Sequence, residues 1–383
     1  MVRPVLFVHP SAELYGSDRM FLESVRALTE AGRVVLVVLP TGGPLVRRLH
    51  AAGARVLCCR TPVLRKSALR PRGLLTVLRD CLLGVLPALR LLLRYRPETV
   101  YVNTVTVPLW PPLARLLGHR VVAHVHEAEQ DAPLPVRLGL NAPLLWCHTV
   151  LVNSHAAKEV LSDSLPVLRE ERVRVLRNGV QGPPRTPEPP PSERRPRRLL
   201  VVGRLSPRKG TDVAVRAVAL LRARGYRVSL DLVGSTFPGY EWFERELEEL
   251  VRRHGLEHVV TTHGFTDDVW AHYAAADMVL VPSRTEPFGN TAVEAQLAMR
   301  PVIVTDAQGL PETVDRGRRG HVVSADDPRA LADRTAELLD DWEATTALAR
   351  SARTEAAELF SPRRYRHRVR RVVGVDEGTR KFP

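Results

Sequence analysis

The sequence predicts an α/β protein with two doubly wound parallel-sheet domains in tandem. Three observations carry this. Short runs rich in Val and Leu alternate with longer helical patterns from the start of the chain, a proline-rich break interrupts them near the middle, and the alternation then restarts. With 383 residues, 44% of them hydrophobic and 26% charged, the chain can supply each domain with its own core.

In the first half the expected strands are Val5–Val8, Val34–Leu39, Arg55–Cys58, Thr99–Asn103, Val121–Val125, Val150–Val152 and Val173–Leu176. Near-continuous apolar runs of this kind suit parallel strands buried on both faces. Helical patterns lie between them, among them Ser17–Ala31 and Leu74–Arg94. The stretch from Gln181 to Pro196 holds Pro183, Pro184, Pro187, Pro189, Pro190, Pro191 and Pro196, and reads as a semi-rigid linker. Beyond it the strands are Leu199–Val202, Ser229–Val233, Val259–Thr262, Met278–Val281 and Val302–Val304. The helical patterns there are Thr211–Arg224, Trp242–Arg253, Asn290–Met299, Pro328–Leu339 and Trp342–Leu359. In open α/β sheets ligands bind beyond the carboxyl ends of the strands, so two such domains would place a site in the cleft between them.

The formal charge of +14 has two readings. One is an anionic partner, nucleic acid or membrane. The other is a GC-rich genome, since only Lys66, Lys158, Lys209 and Lys381 are lysine and nearly all other positive charge is arginine. On the second reading each surviving lysine marks a place where a compact point charge is wanted. Nucleic-acid binding lacks aromatic interleaving, zinc spacing and a recognition motif. Cys58, Cys59, Cys81 and Cys147 show no metal-ligand spacing and fit a reducing compartment. No signal peptide is expected at the start, and the apolar run from Cys81 to Leu93 is too short to span a bilayer.

Two motifs carry chemistry. In Val201-Val202-Gly203-Arg204-Leu205-Ser206-Pro207-Arg208-Lys209-Gly210, a strand turns into a helix with two cations flanking the turn. Backbone N–H groups plus Arg204 and Lys209 make an anion site that suits a diphosphate, although neither GxGxxG nor a Walker loop is present. In Pro282-Ser283-Arg284-Thr285-Glu286-Pro287-Phe288-Gly289-Asn290-Thr291-Ala292-Val293-Glu294, a buried strand ends, Glu286 lies in the loop beyond it, and a helix begins near Gly289 with Glu294 in its first turns. Carboxylates there accept hydrogen bonds from sugar or ribose hydroxyls, and a helix N-terminus favours phosphate. No DxD occurs; the adjacent pairs Asp267-Asp268, Asp326-Asp327 and Asp340-Asp341 read as caps and loops, so no metal site is expected.

Glu286 and Glu294 with Pro-Phe-Gly between them resemble the EX7E signature of the family 4 retaining glycosyltransferases, and the Gly203–Gly210 loop is similar to that family's diphosphate clamp. Asn178-Gly179-Val180, Asp231-Leu232-Val233-Gly234, His263-Gly264-Phe265 and Gly309-Leu310-Pro311-Glu312 extend the likeness over roughly residues 4–372. The resemblance implies the GT-B fold, two Rossmann-like domains facing each other across a donor cleft. It divides the chain into an acceptor-binding domain over 1–180, a linker over 181–196, a nucleotide-sugar domain over 197–360, and over 361–383 a helix that crosses back to the first domain and a tail. It implies that Arg204 and Lys209 neutralise the donor diphosphate, that Glu294 binds the ribose, and that Glu286 binds donor-sugar hydroxyls. Backbone near Phe288, Gly289, Asn290 and Thr291 would meet phosphate and sugar, and Gly264 and Phe265 the base. His126, closing the strand of His124-Val125-His126-Glu127, would touch the donor sugar. In Tyr15-Gly16-Ser17-Asp18-Arg19, Gly16 stands where the family has Gly-Gly, and the second glycine is replaced by Ser17. Retention, with the departing phosphate taking the acceptor's proton, follows from the resemblance, and so does a nucleotide-sugar donor, UDP- or GDP-linked, with no resident cofactor.

The acceptor reading rests on another segment. Arg65, Lys66, Arg70, Arg72, Arg79, Arg90, Arg94 and Arg96 interleave with Leu74, Leu75, Leu78, Leu82, Leu86, Leu89 and Leu93, against the acid Asp80. Such a helix either lies on an anionic membrane or packs its leucines inward with its arginines solvated. The first case implies a cytoplasmic enzyme at the inner membrane face, acting on a lipid-linked saccharide of envelope or exopolysaccharide synthesis. The second leaves a soluble small-molecule acceptor open. A sugar-nucleotide epimerase on the same scaffold is the runner-up enzyme, and it would need no acceptor.

Overall fold

The computed structural model describes residues 3–14, 16–64, 71–127, 130, 132–191, 196–237 and 239–374. Tyr15 of the Gly16 loop, residues 192–195 of the proline-rich stretch, and Arg65, Lys66 and Arg70 of the basic segment lie outside them. The chain divides into one unit of Met1–Gly179 with Pro362–Pro383 and another of Val180–Ser361.

The elements of the first unit are β1 (Val5–Val8), α1 (Gly16–Thr29), β2 (Val35–Leu39), α2 (Pro44–Ala51), β3 (Arg55–Cys58), α3 (Pro71–Tyr95), β4 (Thr99–Asn103), α4 (Trp110–Leu116), β5 (Arg120–Val125), α5 (Leu134–Asn141), β6 (Thr149–Val152), α6 (His155–Ser164) and β7 (Val173–Val175). The second unit runs β8 (Arg197–Val202), α7 (Thr211–Ala223), β9 (Val228–Val233), α8 (Glu241–Arg253), β10 (Val260–Gly264), α9 (Val269–Ala275), β11 (Met278–Val281), α10 (Asn290–Leu297), β12 (Val302–Thr305), α11 (Leu310–Thr313), β13 (His321–Val323), α12 (Pro328–Asp340) and α13 (Trp342–Leu359). The last helix, α14 (Pro362–Val373), belongs to the first unit.

Each unit is one parallel sheet, in the order β3-β2-β1-β4-β5-β6-β7 and β10-β9-β8-β11-β12-β13. Strand order reverses beside β1 in the first and beside β8 in the second, the topology of a Rossmann-like domain. The period of two is clean. Leu6, Val8, Val100, Val102, Val121 and Ala123 join the cluster that meets α3, α4 and α6, whereas Val5, Phe7, Tyr101 and Val122 join the one that meets α1, α2 and α14. In the second unit Leu199, Val201, Leu230 and Leu232 face α7, α8 and α12, while Leu200, Val279 and Val281 face α9 and α10. The outer strands β3, β10 and β13 are the less buried ones, as edges are.

Several local expectations change. The α10 pattern ends at Leu297 because Met299 adopts a left-handed backbone, φ 57°. β13 was not foreseen, since three half-buried residues give little pattern. The helix α3 runs through Pro87, within the expected Leu74–Arg94 pattern, but begins earlier, at Pro71. Its leucines are not buried inward: Leu75, Leu78, Leu82, Leu86 and Leu93 are exposed, and it is Ala88 and Leu92 that enter the core. No helix among the described residues is long and apolar enough to cross a membrane.

Residues 180–191 carry no helix or strand, yet their end is tied down. The Pro191 carbonyl accepts from Arg197 Nη1 at 2.6 Å and from Trp342 Nε1 at 2.9 Å. The Arg197 guanidinium stacks on the Trp342 ring.

The basic helix α14 is spent on structure. Tyr365 lies buried with its hydroxyl 2.7 Å from Ser24 Oγ, Arg370 donates to the Ala27 carbonyl at 2.7 Å, and Arg366 and Arg370 both pair with Glu30, just beyond the end of α1. Arg120 in turn donates to the Val372 carbonyl at 2.8 Å, near the end of α14. Truncating a large buried aromatic costs about 3–5 kcal/mol. Tyr365→Ala should therefore destabilise the first unit by about 3–5 kcal/mol, read by chemical denaturation.

Candidate functional site

In the second unit the two chemical motifs sit at the carboxyl ends of neighbouring strands, β8 and β11, flanking the point where strand order reverses. Gly203 follows β8 with φ 138°, and Gly210 closes the loop with φ 64°. A Cβ on Gly210 would lie 1.9 Å from the Pro282 carbonyl oxygen, so only glycine lets the two loops touch. Gly234, at the end of β9, is constrained in the same way against the Gly203 carbonyl.

Where the loops meet, Lys209 Nζ lies 2.5 Å from Glu286 Oε2, with Arg208 Nη1 at 3.9 Å from the same oxygen. Burial by itself would push the Glu286 carboxyl up, but Lys209 and Arg208 outweigh it and hold the group below its ordinary range. Arg284 braces the arrangement. Its guanidinium meets both Asp212 oxygens at 2.9 and 2.7 Å and the Pro207 carbonyl at 2.6 Å, and it also pairs with Asp326. Its backbone N–H donates to the Arg208 carbonyl, and Arg208 Nη1 donates to the Thr285 carbonyl. Arg204, on the same loop as Lys209, stacks over the Phe237 ring.

The other foreseen residues of this unit group around the start of α10. Gly289 precedes it with φ 101°, packed so tightly that a Cβ would strike Leu310. The Gly309 N–H donates to the Glu286 carbonyl at 3.0 Å. Asn290 opens the helix, Thr291 is buried behind it, and Glu294 accepts from the Tyr273 hydroxyl at 2.9 Å, which orients its carboxylate. Phe288 is 2% exposed and its ring packs edge-to-face on Phe360, so it is the backbone here that a ligand could meet. Gly264 ends β10 and accepts from the Gly234 N–H, and Phe265 beyond it is 60% exposed.

In the first unit His126 directly follows β5. The expected sharing of a face by His124 and His126 holds, with ring centroids 4.1 Å apart. His124 is fully buried, its Nδ1 2.7 Å from the Tyr101 hydroxyl. Burial, then the nearby His9, push the His126 imidazole down to about 3 against the opposing pull of Asp18, so it is neutral. Gly16 is exposed and is the first residue of α1.

Three residues escaped the sequence reading: His9, Asp18 as a buried acid, and Asn103. They form a chain of hydrogen bonds that ends on His126 Nε2 at 3.1 Å. What could have revealed them is position: His9 follows β1 and Asn103 ends β4, the strands either side of the reversal. Glu127 was also unweighed. Burial raises its pKa to about 7, against hydrogen bonds from the His126, Glu127 and Val105 N–H groups and the Thr104 hydroxyl.

Comparison with known proteins agrees with both halves. Residues 15–181 match the family model described as Glycosyltransferase Family 4, and residues 196–341 the one described as Glycosyl transferases group 1. A GDP-mannose-dependent alpha-(1-6)-phosphatidylinositol monomannoside mannosyltransferase of Mycolicibacterium smegmatis is 30% identical over 318 residues, 76% of this chain and 79% of that protein. A D-inositol 3-phosphate glycosyltransferase of Corynebacterium kroppenstedtii is 35% identical over 167 residues, 43% of this chain and 37% of that protein. The match thus spans less than two fifths of that relative's length. Among solved structures, Anabaena HepE in complex with UDP has a TM-score of 0.79 at 22% identity, covering 97% of this chain and 99% of that one. This likeness shows the GT-B fold.

Two outcomes follow from the geometry. Gly210→Ala should destabilise the second unit by more than the ~1–3 kcal/mol cost of a strained left-handed residue, because its Cβ also runs into the Pro282 carbonyl, as measured by denaturant unfolding. For Glu127 the folded pKa of about 7 lies above the ordinary 4.5, so the fold binds its proton more tightly than the unfolded chain. Its contribution is present below pH 4.5 and lost as pH rises towards 7. Glu127→Gln should therefore gain stability relative to wild type across that window; a flat difference would count against the shift.

Proposed function

Because this chain belongs to the family 4 glycosyltransferases, we propose that it moves a hexosyl group from a UDP- or GDP-linked donor to a hydroxyl acceptor, with retention and without a metal ion. The observation that carries this reading is the meeting of the two loops at Lys209 and Glu286, a cation and a sugar-binding acid held 2.5 Å apart at the carboxyl ends of β8 and β11.

The chemistry asks for two things: a stabilised leaving diphosphate and a tolerated oxocarbenium-like sugar. Arg204 and Lys209 supply positive charge for the first, together with the N–H groups opening α10. All are fixed before the donor arrives, so no reorganisation is needed as charge develops. The two cations do the work a divalent ion performs elsewhere. Glu286, kept ionised, accepts hydrogen bonds from sugar hydroxyls, and Glu294, oriented by Tyr273, accepts from the ribose. His126 is neutral and therefore suited to hydrogen-bond the sugar without repelling positive charge building on the ring. The departing phosphate takes the acceptor's proton, so no enzymic nucleophile is required.

The acceptor we propose is a saccharide carried on a lipid of an envelope or exopolysaccharide pathway, met at the cytoplasmic membrane face. Leu75, Leu78, Leu82, Leu86 and Leu93 recur at helical spacing along α3 and are exposed, and Arg79, Arg90 and Arg94 on the same helix are exposed too. The mannosyltransferase relative, named for a phosphatidylinositol acceptor, supports the same class.

Thermal-shift measurements with UDP, GDP, ADP, TDP and CDP, each with and without Mg²⁺, test the donor reading. One diphosphate should raise the melting temperature equally with and without the metal; a shift that needs Mg²⁺ overturns metal independence. Lys209→Ala should cut transfer about 10²–10³-fold with the fold intact, and near wild-type transfer would refute the clamp. Donor turnover without any transfer would favour an epimerase. Arg79/Arg90/Arg94→Glu should abolish binding to vesicles rich in phosphatidylglycerol, and unchanged binding would remove the membrane from the reading.

A further inference from the structure

The hydrogen-bond chain at the carboxyl ends of β1, β4 and β5 has a direction. Asp18 Oδ1 accepts from Ser11 Oγ at 2.6 Å and lies 2.6 Å from His9 Nε2. His9 Nδ1 lies 3.0 Å from Asn103 Nδ2, and Asn103 Oδ1 lies 3.1 Å from His126 Nε2. His9, Asp18 and Asn103 are 0%, 1% and 0% exposed. An ionised carboxylate can only accept, so His9 must donate from Nε2. The lone pair of neutral His9 is then on Nδ1, and there it accepts from the amide nitrogen of Asn103. The amide oxygen that remains can only accept, so His126 must donate from Nε2. Each link leaves the next no choice.

The parts are also held in plane. The His9 ring stacks on Phe21 at 4.3 Å and 12°, and the His126 ring lies against His124. Burying four polar groups in one unit is costly unless every link is made. A fold that needed only to fill this space would do so with apolar side chains.

We propose that Asp18, acting through His9 and Asn103, fixes the proton of His126 on Nε2, so that His126 Nδ1 serves as a hydrogen-bond acceptor for a hydroxyl of the donor sugar. Asp18, His9 and Asn103 are thus positioning residues. The inference rests on the reading of His126 as a sugar contact. It adds the polarity of that contact: the imidazole receives a hydrogen bond and does not give one. It also accounts for an acid buried within α1.

The tautomers of His9 and His126 can be read directly in two-bond ¹⁵N–¹H spectra of histidine-labelled full-length protein, assigned with His9→Gln and His126→Gln. Both should carry Nε2–H in wild type. In Asp18→Asn, whose amide can donate to His9, the His126 signal should move towards Nδ1–H. Transfer should fall about 10–100-fold, the usual range for partners that orient a functional group, while UDP or GDP affinity stays unchanged. Asn103→Leu breaks the chain at a second point and should free the His126 tautomer without altering Asp18, which guards against misfolding of either variant alone. Finding His126 as Nδ1–H in wild type, or unmoved in both folded variants, would overturn the relay. His126→Ala with undiminished transfer would instead overturn the sugar-contact reading, and with it the purpose of the relay, while the spectra still reported the tautomer.

Discussion

Arg284 leaves the end of β11 and turns its guanidinium back across the face of the second unit. Both of its terminal nitrogens reach Asp212 at the start of α7, and one also takes the carbonyl of Pro207. A planar fork of donors meets a planar fork of acceptors, a geometry lysine could not reproduce. Two loops that arrive from different strands are thereby locked in one register, and the contact of Gly210 with the Pro282 carbonyl becomes possible. The placement of Lys209 on Glu286 follows from that register. The acid and the cation need no direct sequence relation, because the brace is what brings them together.

The first unit solves a similar problem with a different device. Its chemistry also gathers where strand order reverses, but the residues come from three strand ends and a helix, and a carboxylate anchors them instead of a guanidinium. The acid of α1 is buried beneath His9, and a line of hydrogen bonds carries its influence to His126. In one unit a cation organises backbone carbonyls and acids; in the other an acid organises imidazoles and an amide. Both exploit the fact that a parallel sheet brings the ends of distant segments side by side.

This difference explains what the sequence disclosed. The fold class was readable because buried parallel strands such as Val35–Leu39 and Met278–Val281 are continuous apolar runs that little else mimics. The Glu286 and Lys209 loops were readable because each is contiguous, with glycines whose backbone demands are local. His9, Asp18 and Asn103 were not, since a lone histidine, acid or amide has no pattern until the strand order places β1 next to β4 and β4 next to β5. The leucines of α3 could not be assigned from periodicity, because an amphipathic stripe looks the same whether it meets a core or a lipid surface.

The helix α14 makes the first unit discontinuous along the chain, with the whole of Val180–Ser361 inserted before its last piece. Synthesis runs from the amino end, so the ribosome delivers β1 to β7 and their early helices long before Tyr365, Val369 and Val372 exist to cover the α1 side of the sheet. Until they do, the nascent first unit lacks part of the layer that covers this side of its sheet, alongside α1 and α2. The inserted unit, by contrast, emerges uninterrupted. Completion of the first unit therefore waits on α14, and a chain cut short before that helix would hold every element of the second unit but a first unit missing one of its helices.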